Sequence, residues 1–232
     1  MFDKKYNKIL TIVIIVVAII ALGVFGFWGY NVYKRYYVNK GANEALNQFD
    51  DNIKTIINKG NQTGNGNGNA NNTQNGVSLN INSTIEGEGN QTGNGTAAVQ
   101  TYKGFTVCGK IEIPSISLSY PVLDRATKAS MEASVGISYG PGLNQVGNTV
   151  IMGHNYRDRT FFSNLKNVKE NDAIYITDTT GKRVKYTVYN IYETGSSDFE
   201  YASRDTAGKM EITLSTCTDD VQSRLVIWAK AD

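Results

Sequence analysis

Hydrophobic positions along the chain fall into three regimes. Between Lys8 and Lys34 no charged residue occurs, and residues 9–28 are almost uniformly apolar. A helix of about 20 residues rises ~30 Å, the thickness of a bilayer's hydrocarbon core. The pattern predicts a transmembrane anchor over residues 9–33, with residues 1–8 on the inner side. A cleaved signal sequence has a shorter apolar run, about 7–15 residues, so the span is expected to be retained. Trp28, Tyr30, Tyr33, Tyr36 and Tyr37 read as an interfacial aromatic belt. Lys4, Lys5 and Lys8 before the span are balanced by Lys34, Arg35 and Lys40 after it, so the positive-inside rule gives almost no orientation. The next segments suit the outside of a cell, which favours an N-terminus inside.

Residues 34–59 form the second regime. Leu46, Phe49, Ile53, Ile56 and Ile57 recur at helical spacing, with Glu44, Asp50, Asp51 and Lys54 between them. This predicts an amphipathic juxtamembrane helix whose apolar face packs on a domain or the membrane surface, or pairs with a second copy. Residues 60–100 then turn to Asn, Gly, Gln, Thr and Ser, with Gly-Asn-Gln-Thr-Gly-Asn-Gly at 60–66 and again at 89–95. Such a stretch has too little apolar surface for a core and reads as a flexible tether.

The third regime, residues 101–232, carries short β-branched runs punctuated by turns. Strands are expected over residues 105–113, 116–123, 148–153, 173–177, 184–194, 209–215 and 224–230, with short helical pieces near 127–135 and 160–166. Phe161, Phe162 and Leu165 are expected to face inward. About eight short strands with little helix predict an all-β domain, closed or nearly closed as a barrel.

Composition narrows the function classes. The net charge of +2 and the lack of a basic block argue against nucleic acid. Cys108 and Cys217 are the only cysteines, so there is neither a disulfide framework nor zinc-ligand spacing. No cofactor or metal is expected.

The candidate chemistry sits in residues 211–230. Glu-Ile-Thr-Leu-Ser-Thr-Cys-Thr, a polar turn with Asp219, Asp220, Gln222 and Ser223, and Arg-Leu-Val-Ile-Trp-Ala-Lys read as strand, loop and strand. Cys217 ends the first strand and Arg224 opens the second, so an antiparallel pair makes them neighbours. The single histidine, His154, also follows a β-branched run, in Thr-Val-Ile-Met-Gly-His-Asn. One thiol, one imidazole and one guanidinium at strand ends point to a nucleophilic pair with a cationic helper. Thr216 and Asn155 flank the pair and are expected to shape a substrate site. Cys108, mid-strand, reads as core.

These residues resemble the sortases, cysteine transpeptidases of Gram-positive surfaces. Thr213-Leu-Ser-Thr-Cys217 is similar to the family's nucleophile strand, Gly153-His154 to its histidine motif, and Arg224 to its arginine. Phe162-Ser-Asn-Leu165 and Gly109-Lys-Ile-Glu-Ile-Pro114 also fit. The resemblance implies an eight-stranded sortase β-barrel with short helices, preceded by a membrane anchor, with the enzyme outside the cell. It implies cleavage of a Leu-Pro-x-Thr-Gly-like signal on surface proteins or pilins. Cys217 would form a thioacyl-enzyme, His154 would move protons, and Arg224 would stabilise the oxyanion or hold the substrate. The acceptor would be a peptidoglycan precursor or a pilin lysine amine. His154-Asn155 and Thr-Leu-Ser-Thr-Cys resemble class B, whereas the interval to Cys217 lacks room for that class's helical insertion and resembles classes A and D. Residues 141–147 carry no acid, so no calcium requirement is expected.

Two other readings use the same features. Other cell-wall cysteine enzymes place the residues differently: a Ser-His-Gly-Cys-like motif, or a cysteine that comes first and sits on a helix. A non-enzymatic tethered binding module explains anchor and tether but gives no reason for the His/Cys/Arg set.

Overall fold

The computed structural model describes residues 4–62 and 99–232, with side chains over 8–58 and 99–232. The tether expected over residues 60–100 lies almost wholly outside the described residues. Helix α1 (Lys4–Gln62) is one continuous helix of 59 residues, long and apolar enough in its first half to cross a membrane. The boundary expected at residue 33 is therefore a change of surroundings rather than a break. The charge belt that marks the end of the apolar run does not interrupt helical propensity, and the first proline of the chain is Pro114.

From Ile9 to Tyr33 the large apolar side chains of α1 are exposed, whereas Ala42, Ala45, Leu46 and Phe49 are buried. Their i, i+3, i+4, i+7 spacing makes one stripe, and that stripe packs on the β-domain. Phe49 meets Tyr102, Val107, Leu123 and Ala133 in one cluster. Polar contacts fasten the same face: Tyr120 Oη donates to Asn39 Oδ1 at 3.0 Å, and Lys110 Nζ reaches Asp50 at 2.7 Å. Close approach is possible at Gly41, where a Cβ would lie 2.8 Å from the Tyr102 hydroxyl.

The remaining chain forms nine strands: β1 (Thr101–Tyr102), β2 (Phe105–Ile113), β3 (Leu118–Leu123), β4 (Val135–Tyr139), β5 (Gly147–Met152), β6 (Ala173–Asp178), β7 (Arg183–Gly195), β8 (Met210–Cys217) and β9 (Ser223–Ala231). β1 is a short ribbon on the start of β2. The other eight close into a barrel in the order β2-β3-β4-β5-β8-β9-β7-β6, with β6 returning to β2. Two pairings are parallel, β3 with β4 and β5 with β8. The interior is filled by alternate residues such as Ile111, Val122, Ile151, Ile174, Ile176, Ile212, Leu214 and Ile227. On the opposite face of β5, β8, β9 and β7, Val150, Val226, Met152, Tyr192 and Trp228 pack with Tyr201 of the β7–β8 connection.

Two local features differ from the pattern reading. β4 joins the barrel although no strand is expected there; Val135 and Gly136 are buried, but its last two residues are exposed, so its alternation is faint. β3 starts at Leu118 rather than 116, because Pro114–Ile116 forms a 3-10 turn closed by Ser117 in the left-handed region, φ 52°. The short helix α2 (Lys128–Met131) is set by a capping box between Thr127 and Ser130. The piece expected at 160–166 is a 3-10 turn at Leu165–Asn167, and Phe161, Phe162 and Leu165 are buried as expected.

Candidate functional site

The β5–β8 ladder runs from Gly147 beside Met210 to Met152 beside Ser215. Every pair has one sequence offset, and the chain keeps it past the last ladder rung. Gly153 N–H donates to the Ser215 carbonyl at 3.3 Å, and Thr216 Oγ1 donates to the Gly153 carbonyl at 2.8 Å across the same separation of 63 positions. Carried one residue further, the same offset would bring His154 level with Cys217, and Asn155, the next residue, donates to the Cys217 carbonyl. In a parallel ladder, paired residues share a face. That face is the outer one, because Thr216 belongs to the alternate set with buried Ile212 and Leu214.

Gly153 is required here by packing. A Cβ at this position would lie 2.7 Å from Val135 Cγ1 and 3.0 Å from the Phe162 ring. A larger residue would push the end of β5 off the barrel and take His154 with it. The His154 ring lies 5.1 Å from that of Tyr156, and its Nε2 is buried with no hydrogen-bond partner among the described residues. An imidazole nitrogen that is enclosed but unused is available to a proton acceptor or donor brought in by a ligand.

Cys217 and Arg224 are directly cross-strand in the β8–β9 pair, so both side chains leave the same face. Arg224 also stands opposite Thr194 of β7. Its Nε donates to the Ser196 carbonyl at 3.0 Å, and its guanidinium carbon lies 4.9 Å from the Phe199 ring centre. The loop acids do not take it. Asp219 receives Lys166 Nζ at 2.6 Å and Asn155 Nδ2 at 2.9 Å, while Asp220 accepts from Thr218 Oγ1 at 2.6 Å and from Gln222 N–H. The Lys166 contact, then the Asn155 amide, hold the Asp219 carboxyl below its ordinary range. Among the described residues Arg224 pairs with no carboxylate, and of its five N–H donors the one on Nε is engaged.

The two flanking residues turn inward on the protein. Thr216 is 2% exposed, and its hydroxyl is spent on Gly153. Asn155 Nδ2 donates to the Cys217 carbonyl at 3.0 Å as well as to Asp219. Pattern reading missed Ser196, Phe199 and Lys166 as site neighbours. Each reaches the site through a loop, and nothing in local periodicity announces which loop closes on which strand. Cys108 sits at a bulge between Val107 and Gly109, half-buried, and burial pushes its thiol pKa up. Among the described residues no group of three or more His, Cys, Asp or Glu side chains forms a metal site.

The β7–β8 connection is held over the outer face at several points. Tyr201 Oη and Ser215 Oγ are 3.2 Å apart. Arg204 pairs with Glu211, both nearly buried, and Tyr189 Oη donates to the same carboxylate at 2.6 Å. The Arg204 guanidinium also covers the Trp228 ring at 4.6 Å. The outer face thus carries the Cys217 thiol of β8 and the Arg224 guanidinium of β9 side by side, with His154 just past the end of neighbouring β5 and a braced loop beside them.

Comparisons with known proteins fit this geometry. A family model described as the Sortase domain matches residues 111–232. Sortase A of Bacillus anthracis is 32% identical over 124 residues, covering 52% of this chain and 58% of that protein. Sortase A of Streptococcus agalactiae serotype III (strain NEM316) is 27% identical over 139 residues, covering 54% and 53%. The chain thus spans little more than half the length of these curated relatives. Among solved structures, the lid mutant of sortase A from Corynebacterium diphtheriae is 35% identical, covers 54% of this chain and 70% of that one, and superposes with a TM-score of 0.50.

Proposed function

The chain belongs to the sortase family, and from that premise we propose that it is a membrane-anchored cysteine transpeptidase acting on sorting signals of the Leu-Pro-x-Thr-Gly type. The observation that supports the reading is the register: the β8–β9 ladder pairs Cys217 with Arg224, and the β5–β8 offset, extended past its last contact, would bring His154 level with Cys217. The Cys217 thiolate attacks the carbonyl carbon of the scissile bond, and its negative charge passes to the carbonyl oxygen. Arg224 stabilises that oxygen or holds the substrate backbone through its planar fork of donors. His154 as imidazolium gives its proton to the leaving amine as the C–N bond breaks, leaving a thioester on Cys217. An incoming amine attacks the thioester, His154 takes its proton, and the thiolate departs. Asn155 and Thr216 act as positioning residues that tie β5 to β8, rather than as contacts for substrate.

The amine acceptor would be a peptidoglycan precursor or a pilin lysine. The exposed apolar half of α1 supports a single-pass anchor, with the barrel outside the cell and residues 60–100 as a tether between helix and barrel. The test uses the full chain in detergent with a panel of Leu-Pro-x-Thr-Gly-like peptides and a glycine amine, read by mass spectrometry. Cleavage between Thr and Gly, an acyl adduct on Cys217, and at least 10³-fold loss in Cys217→Ala and His154→Ala are expected. Arg224→Lys should remain strongly impaired because it keeps the charge but loses the fork. Product that survives Cys217→Ala sinks the mechanism.

A further inference from the structure

The path of α1 across the barrel fixes which end of the enzyme meets the membrane. Lys34 and Arg35, the first charged residues after the apolar run, are already docked: Lys34 Nζ lies 3.6 Å from Glu132, and Arg35 pairs with Asp158 in the loop that follows His154. Further along, Asp50 reaches Lys110 of β2. At the far end, Ile53 and Ile57 pack on Gly181 in the β6–β7 hairpin. The helix therefore enters at the barrel end that carries the loop after β5 and leaves at the end that carries the β6–β7 hairpin.

Strand directions say which end is catalytic. β5 and β8 both run toward the end where Cys217 lies, β9 starts there, and β7 finishes there with Thr194 opposite Arg224. β7 begins at the β6–β7 hairpin, and its 13 residues at about 3.3 Å each give ~40 Å between the two ends. The catalytic end is thus the end where α1 emerges from its apolar segment. Asn155 touches the Cys217 carbonyl, and Asp158, three residues on, holds Arg35. Three residues span at most about 11 Å, so the nucleophile sits close above the level of Arg35.

The surface at this end matches a headgroup layer. A cavity of about 620 Å³ between α1 and the barrel is lined by Tyr30, Tyr33, Tyr37, Lys103, Phe105 and Glu132, among others. Aromatic rings with basic groups suit the membrane–water boundary. Lys128, Arg157 and Arg159 are exposed at the same end, and Arg157 and Arg159 flank Asp158 with left-handed backbone, φ 61° and 73°. The nearby carboxylates of Glu132 and Asp158 are matched by Lys34 and Arg35, and Asp124 by Arg125. The acids of the β8–β9 loop, Asp219 and Asp220, have hydrogen-bond partners of their own and also feel the charge of Arg157, while Glu193 and Glu200 near the end of β7 are exposed on the β7–β8 side of the same end.

Resting on the reading of α1 as a membrane anchor, we propose that α1 is a rigid strut that holds the catalytic end of the barrel against the bilayer, with Lys103, Lys128, Arg157 and Arg159 on anionic lipid headgroups. Each base near such a surface contributes on the order of 1 kcal/mol to its attraction.

The test takes the full chain with Cys108→Ser and Cys217→Ala, inserted in lipid nanodiscs. One fluorophore is placed at Val221→Cys in the β8–β9 loop, or at Lys182→Cys in the β6–β7 hairpin, and quenched by lipids with nitroxide headgroups. The Val221 label should be quenched at least threefold more than the Lys182 label. Replacing anionic by zwitterionic lipid, or Lys128, Arg157 and Arg159 by Gln, should reduce quenching at Val221. Equal quenching at both labels, or stronger quenching at Lys182, overturns the orientation. Quenching at Val221 that ignores both lipid charge and the Gln substitutions overturns the headgroup contact. Flotation with liposomes is measured first. A chain that fails to float removes the anchor, and the orientation with it, whereas a chain that floats and shows no rim preference refutes the orientation alone.

Discussion

Thr216→Val isolates the bond that joins the two strands under the site. Valine keeps the shape of threonine and removes the hydroxyl that donates to the Gly153 carbonyl at 2.8 Å. Thr216 is 2% exposed and Gly153 is buried, so water has little access to the abandoned carbonyl. A buried acceptor left without a partner costs about 1–3 kcal/mol. For a domain of this size, that lowers Tm by roughly 3–5 °C for each kcal/mol. The effect on catalysis should exceed the effect on folding. Gly153 lies beyond the last β5–β8 rung, and without the Thr216 bond the segment that carries His154 is tied to β8 by the 3.3 Å contact to Ser215 and by Asn155, while Phe162 N–H still donates to the His154 carbonyl at 3.1 Å from the loop side. A displacement of about 1 Å between nucleophile and proton donor can cost ~10²-fold. We expect kcat to fall 10- to 100-fold with KM changed less than threefold, because no substrate contact is removed. Thr216→Ser restores the hydroxyl and should recover most of the rate. The assay pairs peptide turnover with calorimetric melting of the full chain. Valine and serine variants that are equally active would refute the reasoning, as would a loss carried wholly by KM.

Two further outcomes follow from buried groups. Glu211→Gln removes the carboxylate from Arg204, which is mostly buried, and leaves its charge without an acidic partner; thermal unfolding should show a loss of about 3–5 kcal/mol, the usual cost of breaking one side of a buried pair. Burial is the main cause that pushes Tyr102, Tyr156, Tyr186 and Tyr189 up to about 12. Their raised values favour the folded state below the ordinary phenol range, and that contribution is lost as pH rises from about 10 through 12. Absorbance titration at 295 nm should show a late-titrating set, and loss of structure should coincide with it.

The chain showed its local devices and hid its long-range ones. β8 and β9 were legible because a short polar turn joins two alternating runs, and the same turn made Cys217 and Arg224 neighbours. The approach of the segment after β5 to the end of β8 depends on a parallel ladder between segments 63 positions apart, and alternation within a strand does not identify its partner. β4 escaped for a related reason: its pairing with β3 spans only Val122–Val135 and Leu123–Gly136, too short to impose a full alternating pattern. The apolar stripe of α1 was legible, but its continuity through the charge belt was not, because charges end a membrane span without ending a helix. The site's loop neighbours left no periodic trace at all. Arg224 meets Ser196 and Phe199 only because Tyr201 and Arg204 pin the β7–β8 connection to the barrel's outer face.

That loop bracing bears on how the site responds to acid. Asn155 bonds at once to the Cys217 carbonyl and to Asp219, so the loops after β5 and β8 are latched to each other. Asp219 is held below its ordinary value first by Lys166 and then by Asn155. A depressed carboxyl stabilises the fold above its unfolded value, near 4, and loses that contribution as pH falls through the lower folded value. The latch is therefore intact from pH 5 upward. Asp220, lowered by the Thr218 hydroxyl, behaves in the same sense. Loosening of these loops by acid is therefore expected below about pH 5 and not above it.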